Sequence, residues 1–237
     1  MTVMIEISNA EKTFTMHLQG GVQLPVVRGV SFQVEPGECV VLSGPSGTGK
    51  SSILKMIFGN YRCDGSRIGI RHRGNLVDLA SAEPRQVLSV RRDTIGYVSQ
   101  FLRAVPRVPT IDVVAEPLVV TGTARTEARE WAGRLLRRLN IPERLWALPP
   151  STFSGGEQQR VNIARSLIAD YPVLLLDEPT ASLDTANRDG VIDLIRDRRE
   201  AGAAIVGIFH DVAVRDAIAT RLHNVVLPSI ASPGGIA

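Results

Sequence analysis

Gly44-Pro45-Ser46-Gly47-Thr48-Gly49-Lys50-Ser51 is the stretch that decides the fold. It follows the apolar run Cys39-Val40-Val41-Leu42 and precedes Ser51–Phe58, which reads as a helix. The spacing G-x-x-x-x-G-K-[ST] is that of a phosphate-binding loop. Its glycines let successive backbone N–H groups turn inward as an anion nest, and the following helix points its positive end at the same place. Lys50 brings a full charge to the β- and γ-phosphates, and the Ser51 hydroxyl is a ligand for Mg²⁺. Strand, loop and helix in this order predict a protein that binds a nucleoside triphosphate.

Farther along the chain, Val173-Leu174-Leu175-Leu176-Asp177-Glu178 reads as a buried strand that ends in two carboxylates. Ligands gather at that edge of open α/β sheets. There an Asp holds the hydration shell of Mg²⁺ and the next residue is aimed at an attacking water. Thr94–Val98 leads to Gln100 and Ala204–Phe209 leads to His210, each a strand ending in a polar side chain. Ile5–Ile7 and Val30–Val34 are short alternating runs that predict antiparallel strands, and Arg67–Arg73, with Ile68 and Ile70, predicts a half-exposed one. From Arg103 to Pro150 the texture is helical, with joints at Pro106, Pro109, Pro142, Pro149 and Pro150. Its clearest helix is Glu127–Leu139, whose stripe of Ala128, Trp131, Ala132, Leu135, Leu136 and Leu139 assigns Trp131 to the core. The alternation of elements predicts α/β architecture with a largely parallel central sheet.

The chain has 237 residues, enough for one domain with an inserted subdomain. Its longest apolar runs, Val173–Leu176 and Ala203–Phe209, fall far short of the roughly 20 residues of a membrane span. A membrane role therefore requires a partner chain. The first residues lack a basic segment followed by an apolar one, so no secretory leader is expected. Of 27 Lys and Arg residues only Lys12, Lys50 and Lys55 are lysines. Arg62, Arg67, Arg71, Arg73, Arg91 and Arg92 cluster in sequence without interleaved aromatics, which reads as a solvated face and no nucleic-acid partner. Cys39 and Cys63 have neither metal-ligand spacing nor the density of a disulfide framework, so a reducing, cytoplasmic setting is expected.

Between loop and acidic strand lies Ser154-Gly155-Gly156-Glu157-Gln158. With that element the chain resembles, over nearly its whole length, the ATP-binding cassette (ABC) ATPases. The resemblance implies a P-loop NTPase with a RecA-like core and mixed sheet, an antiparallel β subdomain and an inserted helical subdomain. The single domain would comprise residues 1–102 and 160–228 as catalytic core, 103–159 as helical subdomain and 229–237 as a flexible tail. It implies ATP and Mg²⁺ as ligands. Phe14 would stack on adenine, and Gly44–Ser51 with Ser52 would surround the phosphates. Ser51, Gln100 and Asp177 would serve the metal, and Lys50, Gln100, Glu178 and His210 would carry hydrolysis. Ser154, Gly155, Gly156, Glu157 and Asp184 would meet the ATP of a second ABC subunit, identical or different. Departures from the family pattern are small: Phe153 for Leu, Glu157 for Gln and Phe14 for Tyr.

Gln100-Phe101-Leu102-Arg103, Asn140–Trp146, Pro150–Arg165 with its Phe153, and Ala204–Asp211 are similar to a narrower branch. This is the PhnL-type ATP-binding proteins of the phosphonate carbon–phosphorus lyase system. It implies C-P lyase core subunits as partners and an association with ribose 1-methylphosphonate 5-triphosphate synthesis. The alternative is the ATP-binding subunit of a transporter, with a membrane permease as partner. A non-hydrolysing scaffold would lack Lys50, Glu178 or His210, and all three are present. DNA-repair ABC ATPases carry long insertions for which this length has no room.

Overall fold

A computed structural model describes residues 2–65, 67–100 and 106–226. The chain opens with two long strands, β1 (Ile5–Met16) and β2 (Val22–Val34), then β3 (Cys39–Ser43) and helix α1 (Lys50–Ile57). A hairpin of β4 (Arg67–His72) and β5 (Asn75–Asp78) leads to α2 (Pro84–Asp93) and β6 (Ile95–Val98). Three helices follow, α3 (Thr110–Val120), α4 (Arg125–Arg138) and α5 (Gly155–Leu167), with short 3-10 turns between the last two. The remainder alternates: β7 (Val173–Asp177), α6 (Thr185–Glu200), β8 (Ala204–Ile208), α7 (Val212–Ile218) and β9 (Arg221–Asn224).

The parallel and antiparallel strands form two separate sheets. One is antiparallel in the order β2-β1-β4-β5, and the other is parallel in the order β6-β7-β8-β3-β9. The expected short strands at Ile5–Ile7 and Val30–Val34 are thus the ends of 12- and 13-residue strands, whose bulged register hides their alternation. The strand beginning at Arg67 is more buried than expected, because it lies between β1 and β5. It ends at His72. Arg73 and Gly74 both take positive φ, as a two-residue hairpin turn requires.

Strands β3, β7 and β8 are covered on both faces, which explains their continuous apolar runs. Their side chains alternate between two cores. Cys39, Val41, Leu174, Leu176 and Ile205 pack with the helices α3 to α7. Val40, Leu42, Val173, Leu175, Ala204 and Val206 pack with α1 and the antiparallel sheet. The Cys39 thiol is fully buried, and burial pushes its pKa up to about 12, so it is an inert core group. Truncating such a side chain, Leu176→Ala for example, costs about 2–5 kcal/mol.

Trp131 departs from the sequence expectation: it is 50% exposed, with the Arg134 guanidinium 3.9 Å from its ring centroid. The buried arc of α4 is centred on Ala132 and Leu136, and Gly133 extends it by admitting the Trp146 ring. That rotation leaves Trp131 on the flank. The tail 229–237 and Arg103, where the helical subdomain was expected to start, lie outside the described residues.

All strands of the parallel sheet end at one edge. Ser43, Val98, Asp177 and Ile208 are their last residues there, so the loops that follow β3, β6, β7 and β8 converge. The fold itself assembles the site.

Candidate functional site

Gly49 caps α1 with φ +87°, and a Cβ at that position would strike the Val26 carbonyl and the Val27 side chain. Only glycine lets the loop close down on β2. Lys50 is buried, and its Nζ donates to the carbonyls of Gly44 at 2.8 Å and Pro45 at 2.7 Å. Thr48 Oγ1 donates to Pro45 O, so the loop is braced from within. Gly44, Ser46, Gly47 and Ser52 complete the turn and the first helical residues of the segment assigned from sequence.

The hydroxyl of Ser51 donates to Asp177 Oδ1 at 2.9 Å, across 126 residues of sequence. Tyr97 OH donates to the other oxygen, Asp177 Oδ2, at 3.2 Å. Burial pushes the Asp177 carboxyl above its usual range, against the opposing pull of those two hydrogen bonds. A hydroxyl and an under-compensated carboxylate side by side are hard oxygen donors, and they fit a Mg²⁺ ion. Tyr97 was not singled out in the sequence. Its place between two apolar residues of β6 gives no hint that it reaches the next strand's carboxylate.

Glu178 follows Asp177 with φ +52°, a left-handed conformation that costs a non-glycine residue about 1–2 kcal/mol. Its N–H donates to Ile208 O at 3.1 Å, which ties the turn to β8. His210 Nε2 lies 2.7 Å from Glu178 Oε1, so the imidazole points its proton at the carboxylate. Two residues 32 positions apart, each unremarkable alone, are brought together here. Gln100 is exposed just beyond β6, and among the described residues no hydrogen bond ties it to Ser51 or Asp177. Phe14, on β1, meets Tyr61 edge-on at a centroid distance of 5.2 Å, and Lys12 Nζ lies 5.5 Å from the Phe14 ring centroid.

Ser154 to Glu157 lie at the other end of the predicted set, at the N-terminus of α5. Ser154 is the N-cap and Glu157 completes a capping box. The Ser154 hydroxyl donates to Glu157 Oε2 at 2.7 Å, the Ser154 N–H to the same oxygen at 3.0 Å, and the Glu157 N–H returns to Ser154 Oγ at 3.4 Å. The Ser154 hydroxyl and N–H hold the Glu157 carboxyl below its usual range. A Cβ on Gly156 would sit 3.2 Å from Ser182 O, so this glycine permits close approach of the loop after β7. Asp184 caps α6 through Asn187 N at 2.9 Å, and Asn187 reaches Asn140 at 3.2 Å.

Fold and site together define an α/β P-loop ATPase. Residues 27–181 match the ABC transporter family. The chain is 40% identical over 214 residues to the lipoprotein-releasing system ATP-binding protein LolD of Maricaulis maris (strain MCS10), covering 89% of this chain and 90% of that protein. It is 36% identical over 221 residues to the macrolide export ATP-binding/permease protein MacB of Syntrophobacter fumaroxidans, covering 89% of this chain and 29% of that longer protein. Among solved structures, the dimeric bacterial ABC transporter cassette MJ0796 superposes with a TM-score of 0.85 at 29% identity over 94% of both chains. A post-hydrolysis dimer of MJ0796 bound to ADP and Pi superposes with a TM-score of 0.83 at 28% identity. The chain belongs to the ABC transporter family of ATP-binding domains. No helix among the described residues is long and apolar enough to cross a membrane.

Proposed function

We propose that this chain hydrolyses ATP as the ABC subunit of a transporter, with two copies acting on a membrane permease. The observation that carries this reading is the likeness to LolD, 40% identical over nearly the whole of both chains. The dimeric MJ0796 cassette supports the pairing.

In this reading Phe14 offers its ring face to adenine, and the backbone from Gly44 to Ser52 holds the phosphates, with Lys50 as the fixed charge. Magnesium, when bound, would neutralise charge on the triphosphate, and Ser51 and Asp177 would hold it, with Gln100 as a further oxygen donor. Glu178 takes the proton of the attacking water, and His210 orients that carboxylate. The left-handed turn at Glu178 keeps the base next to Asp177 yet aimed elsewhere. Ser154, Gly155, Gly156, Glu157 and Asp184 of one copy face the ATP held by the other. A groove of about 480 Å³ beside α1 and α3, lined by Lys55, Arg91, Arg92, Arg165 and Glu116, is available to the permease.

A second reading keeps the motor and replaces the permease with C-P lyase core subunits of the phosphonate pathway. It rests on Gln100–Arg103, Asn140–Trp146 and Phe153. Asn140–Trp146 also has a structural task. Asn140 takes φ +54°, Ile141 and Leu145 are buried, and Trp146 Nε1 donates to Ile141 O at 3.0 Å. Phe101, Leu102 and Arg103 lie outside the described residues. Affinity capture of the tagged chain from its native cells separates the two readings. Recovery of a multi-span membrane protein supports the transporter, and recovery of lyase subunits without one overturns it in favour of the phosphonate role.

A further inference from the structure

Arg188 belongs to none of the sequence motifs. It lies on α6, one turn beyond the Asp184 cap, and its backbone N–H donates to Asp184 O at 2.9 Å. Its Nη1 donates to Asp211 Oδ2 at 2.6 Å, and Asp211 is the residue directly after His210. The other oxygen of that carboxylate caps α7, accepting from Ala213 N at 2.8 Å and Val214 N at 3.4 Å. Asp211 is therefore divided: one oxygen holds its own helix and the other is held by α6.

The connection continues to the catalytic carboxylate. His210 Nε2 stands 2.7 Å from Glu178 Oε1, and Arg188, Asp211, His210 and Glu178 wall one cavity of about 380 Å³ with Leu183 and Phe209. Arg188 is half-buried, and its Nε is shielded from solvent without a hydrogen-bond partner. Asp189 stands 3.8 Å from Nε, beyond hydrogen-bond range. Asp211 is thus the tight anchor of this guanidinium, and a charge-assisted bond of this length is directional and strong.

We infer that Arg188 is a positioning residue for hydrolysis: it fixes the Asp211–His210 turn against α6, so that the imidazole meets Glu178 in the working orientation. The inference rests on the assignment of Glu178 and His210 proposed above. A mere staple between α6 and α7 would alter stability and leave turnover per folded molecule unchanged. A positioning residue lowers kcat and spares ATP affinity, since neither Arg188 nor Asp211 lies at the P-loop.

The test is steady-state ATPase kinetics on the full chain, with melting curves and titration by a fluorescent ATP analogue. The variants are Arg188→Met, Arg188→Lys, Asp211→Asn, and the double Arg188→Met/Asp211→Asn. Arg188→Met should lower kcat about 10- to 100-fold, the cost of misplacing a catalytic group, with KM and analogue affinity within about twofold of wild type. Arg188→Lys should recover most of the loss, because an ammonium can still reach Oδ2. Asparagine caps a helix well, so Asp211→Asn removes the ion pair alone and carries the same test if Arg188→Met melts below the assay temperature. The double variant should be no slower than the slower single one. Wild-type kcat in both singles, or multiplying losses in the double, overturns the inference. A Glu178→Gln control that turns over normally overturns the catalytic assignment, and the inference falls with it; an inactive control beside active Arg188 variants sinks the inference alone.

Discussion

At the N-terminus of α1 the chain surrounds its anion site; at the N-terminus of α5 it turns the site outward. Around α1 the lysine is buried, the loop is braced by its own carbonyls, and two carboxylates and a histidine converge from neighbouring strands. Around α5 the residues Ser154, Gly155 and Glu157 are open or half-open to solvent, and the capping box pairs the Ser154 N–H with the Glu157 carboxylate and the Glu157 N–H with Ser154 Oγ. Both ends favour an anion through the helix dipole. Only the first has a lysine, the Ser51–Asp177 pair and the Glu178–His210 pair beside it. In the proposed function the second is a recognition surface whose ligand arrives held by a second copy of the chain.

The largest effect expected from breaking this asymmetry is on the first site. Glu178→Gln should cut steady-state phosphate release about 10²- to 10⁴-fold, the range for loss of general base catalysis, with nucleotide affinity retained. Release at the wild-type rate would remove Glu178 from the mechanism. Next, Lys50→Ala should weaken ATP binding about 10- to 100-fold in a calorimetric titration, as expected for one charge-assisted contact. Unchanged affinity would mean that Lys50 serves only to brace its own loop.

The smallest effect is on stability. Burial raises the Asp177 carboxyl, so the folded chain holds that proton more tightly than the unfolded one. Without nucleotide or metal, stability therefore falls as pH rises through the interval between the unfolded and folded values. Asp177→Asn removes that charge and should raise the Tm of the nucleotide-free chain at pH 7.5 by about 2–4 °C, while magnesium-dependent turnover is lost. A lower Tm would show that the hydrogen bonds to Ser51 and Tyr97 outweigh the buried charge.

Much of this was legible in the sequence because the relevant signals are local. The P-loop and the Val173–Glu178 run each fix a backbone shape within a few residues, and Ser154–Gln158 carries the family resemblance. A polar residue after an apolar strand is common, so Gln100 and His210 drew their expected roles from the family resemblance alone and not from their place after apolar runs. What was hidden depends on contacts across the chain. The Tyr97–Asp177 hydrogen bond, the Arg188–Asp211 pair and the Asn140–Asn187 link join positions 80, 23 and 47 residues apart and have no local signature. Trp131 failed for a related reason. Helical periodicity locates a stripe, but which flank is covered depends on Trp146, a residue from the next segment.

The asymmetry between the two helix ends is tested most directly by the mass of the hydrolysis-deficient chain. In sedimentation equilibrium, Glu178→Gln with ATP and Mg²⁺ should double its mass relative to the nucleotide-free state. Adding Ser154→Arg should return it to a monomer that still binds ATP. A Glu178→Gln chain that binds ATP and stays monomeric, or a dimer indifferent to Ser154→Arg, would contradict the shared site.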